Sequence, residues 1–85
     1  MKNDKSNIWV VYILDCSDHT YYTGITNDLN SRLAKHNDGK GAKYTRGRRP
    51  VTLLKSWEFP SKSEALKEEY RIKKLTKIQK IELIQ

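Results

Sequence analysis

The stretch Ile8-Trp9-Val10-Val11-Tyr12-Ile13-Leu14 decides the fold of this chain. It is an unbroken apolar and aromatic run of strand length, rich in β-branched residues, and it predicts a β-strand covered on both faces. A polar turn over residues 15–20 separates it from Tyr21-Tyr22-Thr23-Gly24-Ile25-Thr26, which has the composition of a second strand. Because the connection is short, the two strands are expected to form an antiparallel hairpin.

Helix signals follow the hairpin. Asn27 and Asp28 can cap a first helix that runs to about Asn37. After a loop over residues 38–50 and a third strand over residues 51–59, Ser61 and Glu64 fit a capping box. The helix that they open runs to about residue 75, and a second box at residues 76–79 opens a short last helix. The order β-β-α-β-α-α predicts an α+β fold, a three-stranded antiparallel β-sheet flanked by helices.

The length and the charge of the chain limit the possible classes of function. The 85 residues give room for one domain over residues 1–85. The net charge of +7 attracts polyanions, although a merely soluble basic protein has the same balance. No apolar run reaches the ~20 residues of a membrane span. Residues 1–7 lack the apolar core of a secretory signal, and the single cysteine excludes an internal disulfide. We therefore expect a cytoplasmic protein.

Glu69 is the most informative polar residue. At ~100° per residue it falls inside a helical arc formed by the apolar residues Leu66, Tyr70, Ala65 and Ile72. Glu68, next to it, is expected to point to solvent. A carboxylate facing a core requires a partner. A buried salt bridge to Arg or Lys satisfies that requirement, and so does a divalent cation.

Two further clusters admit both a structural and a functional interpretation. Arg32 and His36 lie four residues apart on one side of the first helix, as rim residues or as site residues. If the hairpin closes about Ser17, Tyr12 and Tyr22 lie opposite each other on one face of the sheet. Such pairs commonly serve packing alone. Gly24, on the same face, leaves bare backbone that another group can approach closely.

The loop before the third strand is basic. Five cations and one aromatic residue in ten positions fit contact with a phosphate backbone better than a merely solvated loop. These residues are Lys40, Lys43, Tyr44, Arg46, Arg48 and Arg49.

Together these residues resemble a known family. Val10-Val11-Tyr12 and Tyr22-Thr23-Gly24 resemble the paired motifs of GIY-YIG nucleases. Asn27-Asp28-Leu29-x-x-Arg32-Leu33-x-x-His36-Asn37 resembles the first-helix motif of that family, and Glu64-Ala65-Leu66-x-x-Glu69 resembles its metal-binding helix. The resemblance covers about residues 8–75. Gly41-Ala42-Lys43-Tyr44-Thr45-Arg46 is similar to the small, stand-alone bacterial branch.

The resemblance implies both an activity and a site. GIY-YIG nucleases cleave DNA phosphodiester bonds with one divalent metal, on a three-stranded antiparallel sheet flanked by helices. Relatives include the nuclease domain of UvrC-type repair enzymes, which implies a role in DNA repair or recombination. Carried over by motif, the catalytic residues are Tyr12, Tyr22, Arg32 and His36, and Glu69 is the ligand of Mg²⁺ or Mn²⁺.

Several alternatives stay open. The general base is Tyr12 or His36. The substrate is DNA, branched or damaged DNA included, with RNA as the other choice. Many relatives select DNA through a further domain, so a protein partner is expected to supply selection here. A different class of function is a non-catalytic module that binds DNA or RNA through the basic loop. A third is an adaptor that presents an exposed stripe of Ile78, Ile81 and Ile84.

Overall fold

The structure, a computed structural model, describes residues 8–85. Residues 1–7, on which the expectation about a secretory signal rests, lie outside this range. The elements are β1 (Trp9–Asp15), β2 (Tyr21–Thr26), α1 (Leu29–Asn37), α2 (Lys43–Arg46), β3 (Thr52–Phe59), α3 (Lys62–Lys73) and α4 (Lys77–Ile84). The predicted fold class, an α+β fold with a three-stranded antiparallel sheet, is confirmed. The predicted element order was wrong in one respect, because it lacked α2.

The sheet has the strand order β2-β1-β3, which places β1 in the centre. Successive side chains of β1 point to opposite faces. On one face Val11 and Ile13 are fully buried against Ala65 and Ile72 of α3. On the other face Tyr12 and Leu14 of β1, with Cys16 and Val51, form a second buried cluster, against which Leu29 and Leu33 of α1 pack. Burial of β1 on both faces agrees with its unbroken apolar sequence.

The helices that pack on the two faces of the sheet come together along the outer edge of β2. β2 pairs only with β1 in the described sheet, so its other edge carries no strand. Because α1 and α3 lie on opposite faces, side chains from both helices can reach this edge. None of the helices within residues 8–85 has the length and apolar character needed to cross a membrane.

The register of the hairpin differs from the expected one. Tyr12 pairs with Gly24, and Tyr22 pairs with Leu14. The prediction that Tyr12 and Tyr22 lie directly opposite each other was therefore wrong. The hairpin is centred on Asp18, whose carboxylate accepts hydrogen bonds from the backbone and hydroxyl groups of Thr20. Since the shift moves each partner by two residues, both tyrosines still share one face.

The predicted helix starts are confirmed. The Asp28 carboxylate accepts from the Ser31 backbone N–H at 3.3 Å, and the Ser61 hydroxyl accepts from the Glu64 N–H at 3.2 Å. At α4 both bonds of a capping box between Thr76 and Gln79 are present. The helix α2, in contrast, has only four residues and no side-chain cap, so the sequence carried no signal for it.

The buried face of α3 is narrower than expected. Ala65 and Ile72 are fully buried, but Leu66 is 44% exposed and Tyr70 is 63% exposed. The predicted apolar arc was therefore wrong for these two residues.

The last helix does not present an apolar stripe. Leu83 and Ile84 pack against the core cluster of Val11 and Ile13, while Ile78 is 71% exposed. Ile81 and Ile84 are partly buried, so α4 does not present the expected exposed stripe of Ile78, Ile81 and Ile84. A single exposed isoleucine is normal for a soluble surface.

Candidate active site

A buried hydrogen-bond chain lies beneath β2. The Tyr12 hydroxyl is 2.9 Å from His36 Nε2, and His36 Nδ1 is 2.8 Å from the Thr45 hydroxyl. The Thr45 hydroxyl in turn donates to the Ala42 carbonyl at 3.1 Å. With its proton used there, the Thr45 oxygen accepts from His36 Nδ1–H, so Nε2 is free to accept the Tyr12 proton. The Ala42 N–H donates to Nδ1 at a longer 3.4 Å, a bond that needs the other tautomer; the shorter bonds of the Thr45 hydroxyl, at 2.8 and 3.1 Å, favour the Nδ1–H form.

The rings of Tyr12, Tyr22 and His36 pack against one another. The Tyr22 ring centroid lies 5.3 Å from that of His36 and 6.4 Å from that of Tyr12. Tyr12 is the group that approaches the bare backbone of Gly24. A Cβ at position 24 would lie 2.5 Å from the Tyr12 hydroxyl oxygen. Gly24 therefore makes room for the phenol of Tyr12.

Tyr12 and His36 form a hydrogen-bonded dyad, and burial sets the protonation states of both groups. Both Tyr12 and His36 are almost closed to solvent, at 1% and 0% exposure. Burial raises the pKa of the Tyr12 phenol above its ordinary value, and a contact with Arg32 opposes that rise. Burial also lowers the pKa of His36, with a further contribution from the Arg32 charge. At neutral pH the two groups are therefore a neutral phenol and a neutral imidazole.

Arg32 joins this cluster from α1. Besides acting on Tyr12 and His36, it lines a cleft of about 280 Å³ at the carboxyl end of β2. Ile25, Thr26 and Lys35 line the same cleft. The guanidinium therefore lies between the buried dyad and an open, basic surface, where an anion can reach it.

Glu69 lies on α3, the helix that packs on the opposite face of the sheet. Its side chain is 17% exposed and forms an ion pair with Lys73 Nζ at 3.1 Å. Its negative charge contributes, after burial and Tyr22, to the raised pKa of Tyr12. The salt-bridge interpretation of Glu69 is supported, because its partner is a lysine, although that lysine is half-exposed; the role of Glu69 as a metal ligand stays a prediction. Glu68 was expected to point to solvent, but it is largely covered and paired with Arg71.

A divalent cation at this site would have few ligands from the protein. Within residues 8–85 no group of three or more His, Cys, Asp or Glu side chains could hold a metal ion. Glu69 is the one carboxylate that acts on Tyr12. A single hard oxygen donor beside a substrate phosphate suits Mg²⁺ or Mn²⁺, which bind through one or two carboxylates and substrate oxygens.

The basic loop is connected to the site through Tyr44. The Tyr44 ring stacks on that of Tyr22, with centroids 5.9 Å apart, and the Arg48 guanidinium lies 4.0 Å from the Tyr44 centroid. Arg48 also pairs with Asp18, and Arg49 donates to the backbone carbonyls of Arg46 in the loop and Asn37 at the end of α1. These two arginines shape the loop, whereas three other cations are exposed to solvent: Lys40, Lys43 and Arg46.

Two supporting residues were missed by the sequence analysis. Thr45 is fully buried and fixes His36 Nδ1, and a Cβ at Gly41 would lie 2.8 Å from His36 Cγ. Both lie in the segment Gly41-Ala42-Lys43-Tyr44-Thr45-Arg46, which the sequence analysis interpreted by its positive charge. A buried threonine in a basic loop leaves no periodic signal, because the loop has no repeating face.

Comparison with known proteins identifies the family of the chain. The family described as GIY-YIG catalytic domain matches residues 8–82. A UPF0213 protein of Halobacterium salinarum is 61% identical over 70 residues, which cover 82% of this chain and 91% of the relative. A UPF0213 protein of Halalkalibacterium halodurans is 53% identical over 74 residues, covering 87% and 79%.

Two solved structures share the fold. The solution NMR structure of a UPF0213 protein from Bacillus halodurans has a TM-score of 0.60 at 51% identity, covering 91% of this chain and 82% of that one. The solution NMR structure of a protein from E. faecalis has a TM-score of 0.63 at 40% identity, with the same coverage. On the match over residues 8–82 and these relatives, the chain belongs to the GIY-YIG family of catalytic domains, a nuclease family.

Proposed function

We propose that this protein is an endonuclease that hydrolyses DNA phosphodiester bonds with one divalent cation, in DNA repair or recombination. The observation that carries the proposal is the 2.9 Å hydrogen bond between the Tyr12 phenol and a neutral His36. A neutral imidazole behind a phenol is a proton acceptor, and packing alone does not require one. Arg32 and Glu69 act on the same phenol from opposite faces of the sheet.

The dyad accepts the proton of the attacking water. Because burial raises the pKa of Tyr12, the phenol by itself is a weak base at neutral pH. His36 removes this difficulty by accepting the Tyr12 proton at Nε2 while the phenol oxygen takes the proton of the water. The new P–O bond forms as the bond from phosphorus to the 3′ oxygen breaks, and solvent protonates the leaving oxygen. The two candidate bases thus act in series, and Tyr22 orients the water.

Arg32 and Glu69 supply the electrostatic part. The planar donor fork of Arg32 neutralises charge that develops on the phosphate oxygens. Glu69 would hold Mg²⁺ or Mn²⁺ in place of its present partner Lys73. A bound divalent cation supplies polarisation of the scissile phosphate and stabilisation of the leaving oxygen. With one carboxylate in the site, metal affinity is expected to be weak until the substrate adds its own oxygens.

Paired glutamate variants test the proposal. Wild-type protein, Glu69→Gln and Glu68→Gln are incubated with Mn²⁺ and single-stranded, double-stranded or branched DNA. Wild type and Glu68→Gln are expected to cut, and Glu69→Gln is expected to lose at least about 100-fold in rate. Glu68 is a matched control, because it is the neighbouring carboxylate and pairs with Arg71 instead. Equal cleavage by Glu69→Gln, or no cleavage of any substrate by wild type, contradicts the proposal.

A non-catalytic binding module is the second candidate. The exposed cations of the loop, Lys40, Lys43 and Arg46, support it because they can contact phosphates without any reaction. For a pure binder, Glu69→Gln leaves the affinity for DNA or RNA nearly unchanged and there is no cleavage to lose. Binding that weakens with salt is common to both candidates, so only the cleavage assay separates them. In either case a protein partner is the proposed source of substrate selection.

A further inference from the structure

A second cleft lies at the other end of the outer edge of β2. It has a volume of about 240 Å³ and is lined by Tyr21, Tyr22, Thr23, Tyr44, Lys73 and Lys80. The cleft that contains Arg32 is lined by Ile25 and Thr26, at the opposite end of the same strand. Tyr22 and Thr26 are separated by four residues, or roughly 13 Å at the rise of an extended strand. One strand edge therefore carries two basic clefts with the dyad between them.

Two ammonium groups from different helices converge on this second cleft. Lys73 belongs to α3 and Lys80 to α4, and both line it. Lys73 is shared with Glu69, but within residues 8–85 no carboxylate oxygen lies within 4.0 Å of Lys80. Burial lowers the pKa of Lys80, and the charge of Lys73 lowers it further. A partly buried cation beside a like charge is unfavourable unless an anion relieves it.

The Thr23 hydroxyl is a second, independent observation. Thr23 is 3% exposed, and its hydroxyl has no hydrogen-bond partner among the described residues. It lines the same cleft as the two lysines. Buried hydroxyl groups in folded proteins are normally paired, so an unpaired one is available to a ligand that accepts its proton; because the Thr23 hydroxyl oxygen exposes less than 1 Å², such a ligand must displace the side chains that cover it. A phosphate oxygen is such an acceptor, and it also suits the two ammonium groups.

We propose that Lys73, Lys80 and the Thr23 hydroxyl form a second phosphate site, which binds a backbone phosphate of the substrate other than the scissile one. The stacked rings of Tyr22 and Tyr44 form the facing wall, beside the sugar or base of that nucleotide. The nucleic-acid strand then lies along the outer edge of β2, with Arg32 at one end and Lys80 at the other. The inference rests on the proposed function for its ligand, but its residues lie outside the dyad.

Binding without cleavage tests the site. The affinity of a fluorescently labelled DNA oligonucleotide is measured by anisotropy in EDTA at several salt concentrations. Losing one phosphate contact is expected to reduce the slope of log affinity against log salt by about 0.7–0.9 in Lys80→Gln and in Lys73→Gln. Lys67→Gln is the charge-matched control, since Lys67 is an exposed lysine of α3 that lines neither cleft. Equal slopes in Lys80→Gln and Lys67→Gln overturn the inference.

An NMR titration locates the anion. Inorganic phosphate and, separately, the oligonucleotide are added to ¹⁵N-labelled protein, and the amide shifts of Thr23 and Lys80 are expected to move with both. Thr23→Val is expected to weaken the phosphate response several-fold. Shifts confined to the basic loop overturn the site, and a response to phosphate alone overturns its assignment to nucleic acid.

The two proposals fail in distinguishable ways. Cleavage that depends on Glu69 together with an unchanged Lys80→Gln slope leaves the proposed function standing and overturns the second site. Absent cleavage together with a reduced Lys80→Gln slope does the reverse. If wild-type protein binds no oligonucleotide, both are overturned.

Discussion

The hydroxyl of Tyr12 lies 2.9 Å from Nε2 of His36, and both side chains are almost fully buried. The bond joins the central strand of the sheet to the end of α1, across 24 positions of sequence. In the proposed mechanism these two residues, which the sequence left as alternative general bases, act in series. The predicted effects concern this dyad, Gly24 and the two buried threonines Thr23 and Thr45.

Removing the phenol hydroxyl is expected to affect both stability and cleavage. Tyr12→Phe leaves His36 Nε2 buried without a partner, which costs about 1–3 kcal/mol in the free energy of unfolding. It also removes the proton path, so cleavage should fall by about 10²- to 10⁴-fold. Urea denaturation and a cleavage assay measure the two effects. Tyr70→Phe is the control, because Tyr70 is 63% exposed, and a similar loss there would argue against the dyad.

Acid is expected to destabilise the fold through His36. Since burial lowers the pKa of His36 in the folded state, the unfolded chain takes up this proton first as the pH falls. Stability should therefore begin to fall near the ordinary histidine pKa of ~6.5 and level off below the folded pKa, with a slope of at most about 1.4 kcal/mol per pH unit. Urea denaturation from pH 7 to 5 measures it. The slope should be absent in His36→Gln; a slope that persists there assigns the proton to another group.

Gly24 is expected to tolerate no side chain. A Cβ would lie 2.5 Å from the Tyr12 hydroxyl oxygen, so Gly24→Ala must displace the phenol and should lower the free energy of unfolding by about 1–3 kcal/mol. Gly47→Ala is the matched control, because nothing lies within 4 Å of a Cβ there. It should change stability by less than about 0.5 kcal/mol. Thermal or urea denaturation distinguishes them, and equal effects would contradict the proposed fit of Tyr12 over Gly24.

Two buried threonines are expected to respond in opposite ways to valine. Thr23 has an unpaired hydroxyl, so Thr23→Val should leave stability unchanged or raise it by about 1 kcal/mol. The Thr45 hydroxyl bonds to His36 and to the Ala42 carbonyl, so Thr45→Val should cost about 1–3 kcal/mol. Urea denaturation compares the pair. A clear loss of stability in Thr23→Val would show that its hydroxyl has a partner in the folded protein.

Local signals in the sequence predicted most of the elements. Short-range hydrogen bonds define helix starts, so Asp28, Ser61 and Thr76 were identified as caps from their neighbours alone. The helix α2 was missed, since four residues without a cap carry too little pattern. The exposed positions of Leu66 and Tyr70 were also missed. Which face of an amphipathic helix is buried depends on the shape of the sheet that it meets, and the helical sequence does not contain that shape.

The sequence also predicted only part of the candidate site. The sequence by itself determined the strand Trp9–Asp15, the shared face of Tyr12 and Tyr22, and the family to which the chain belongs. An even spacing of side chains on a pleated strand survives a shift of register by two residues, which is why the face was correct although the pairing was not.

Only the tertiary structure decided which groups touch. It set Tyr12 against Gly24 and His36, closed the chain of hydrogen bonds with Thr45, and left the Thr23 hydroxyl unpaired beside Lys80. Each of these contacts joins segments that are distant in sequence, and its geometry depends on how α1, α3 and α4 pack against the two faces and the outer edge of β2. Burial then fixed the neutral state of His36, because desolvation acts on a group only after the surrounding side chains have excluded water.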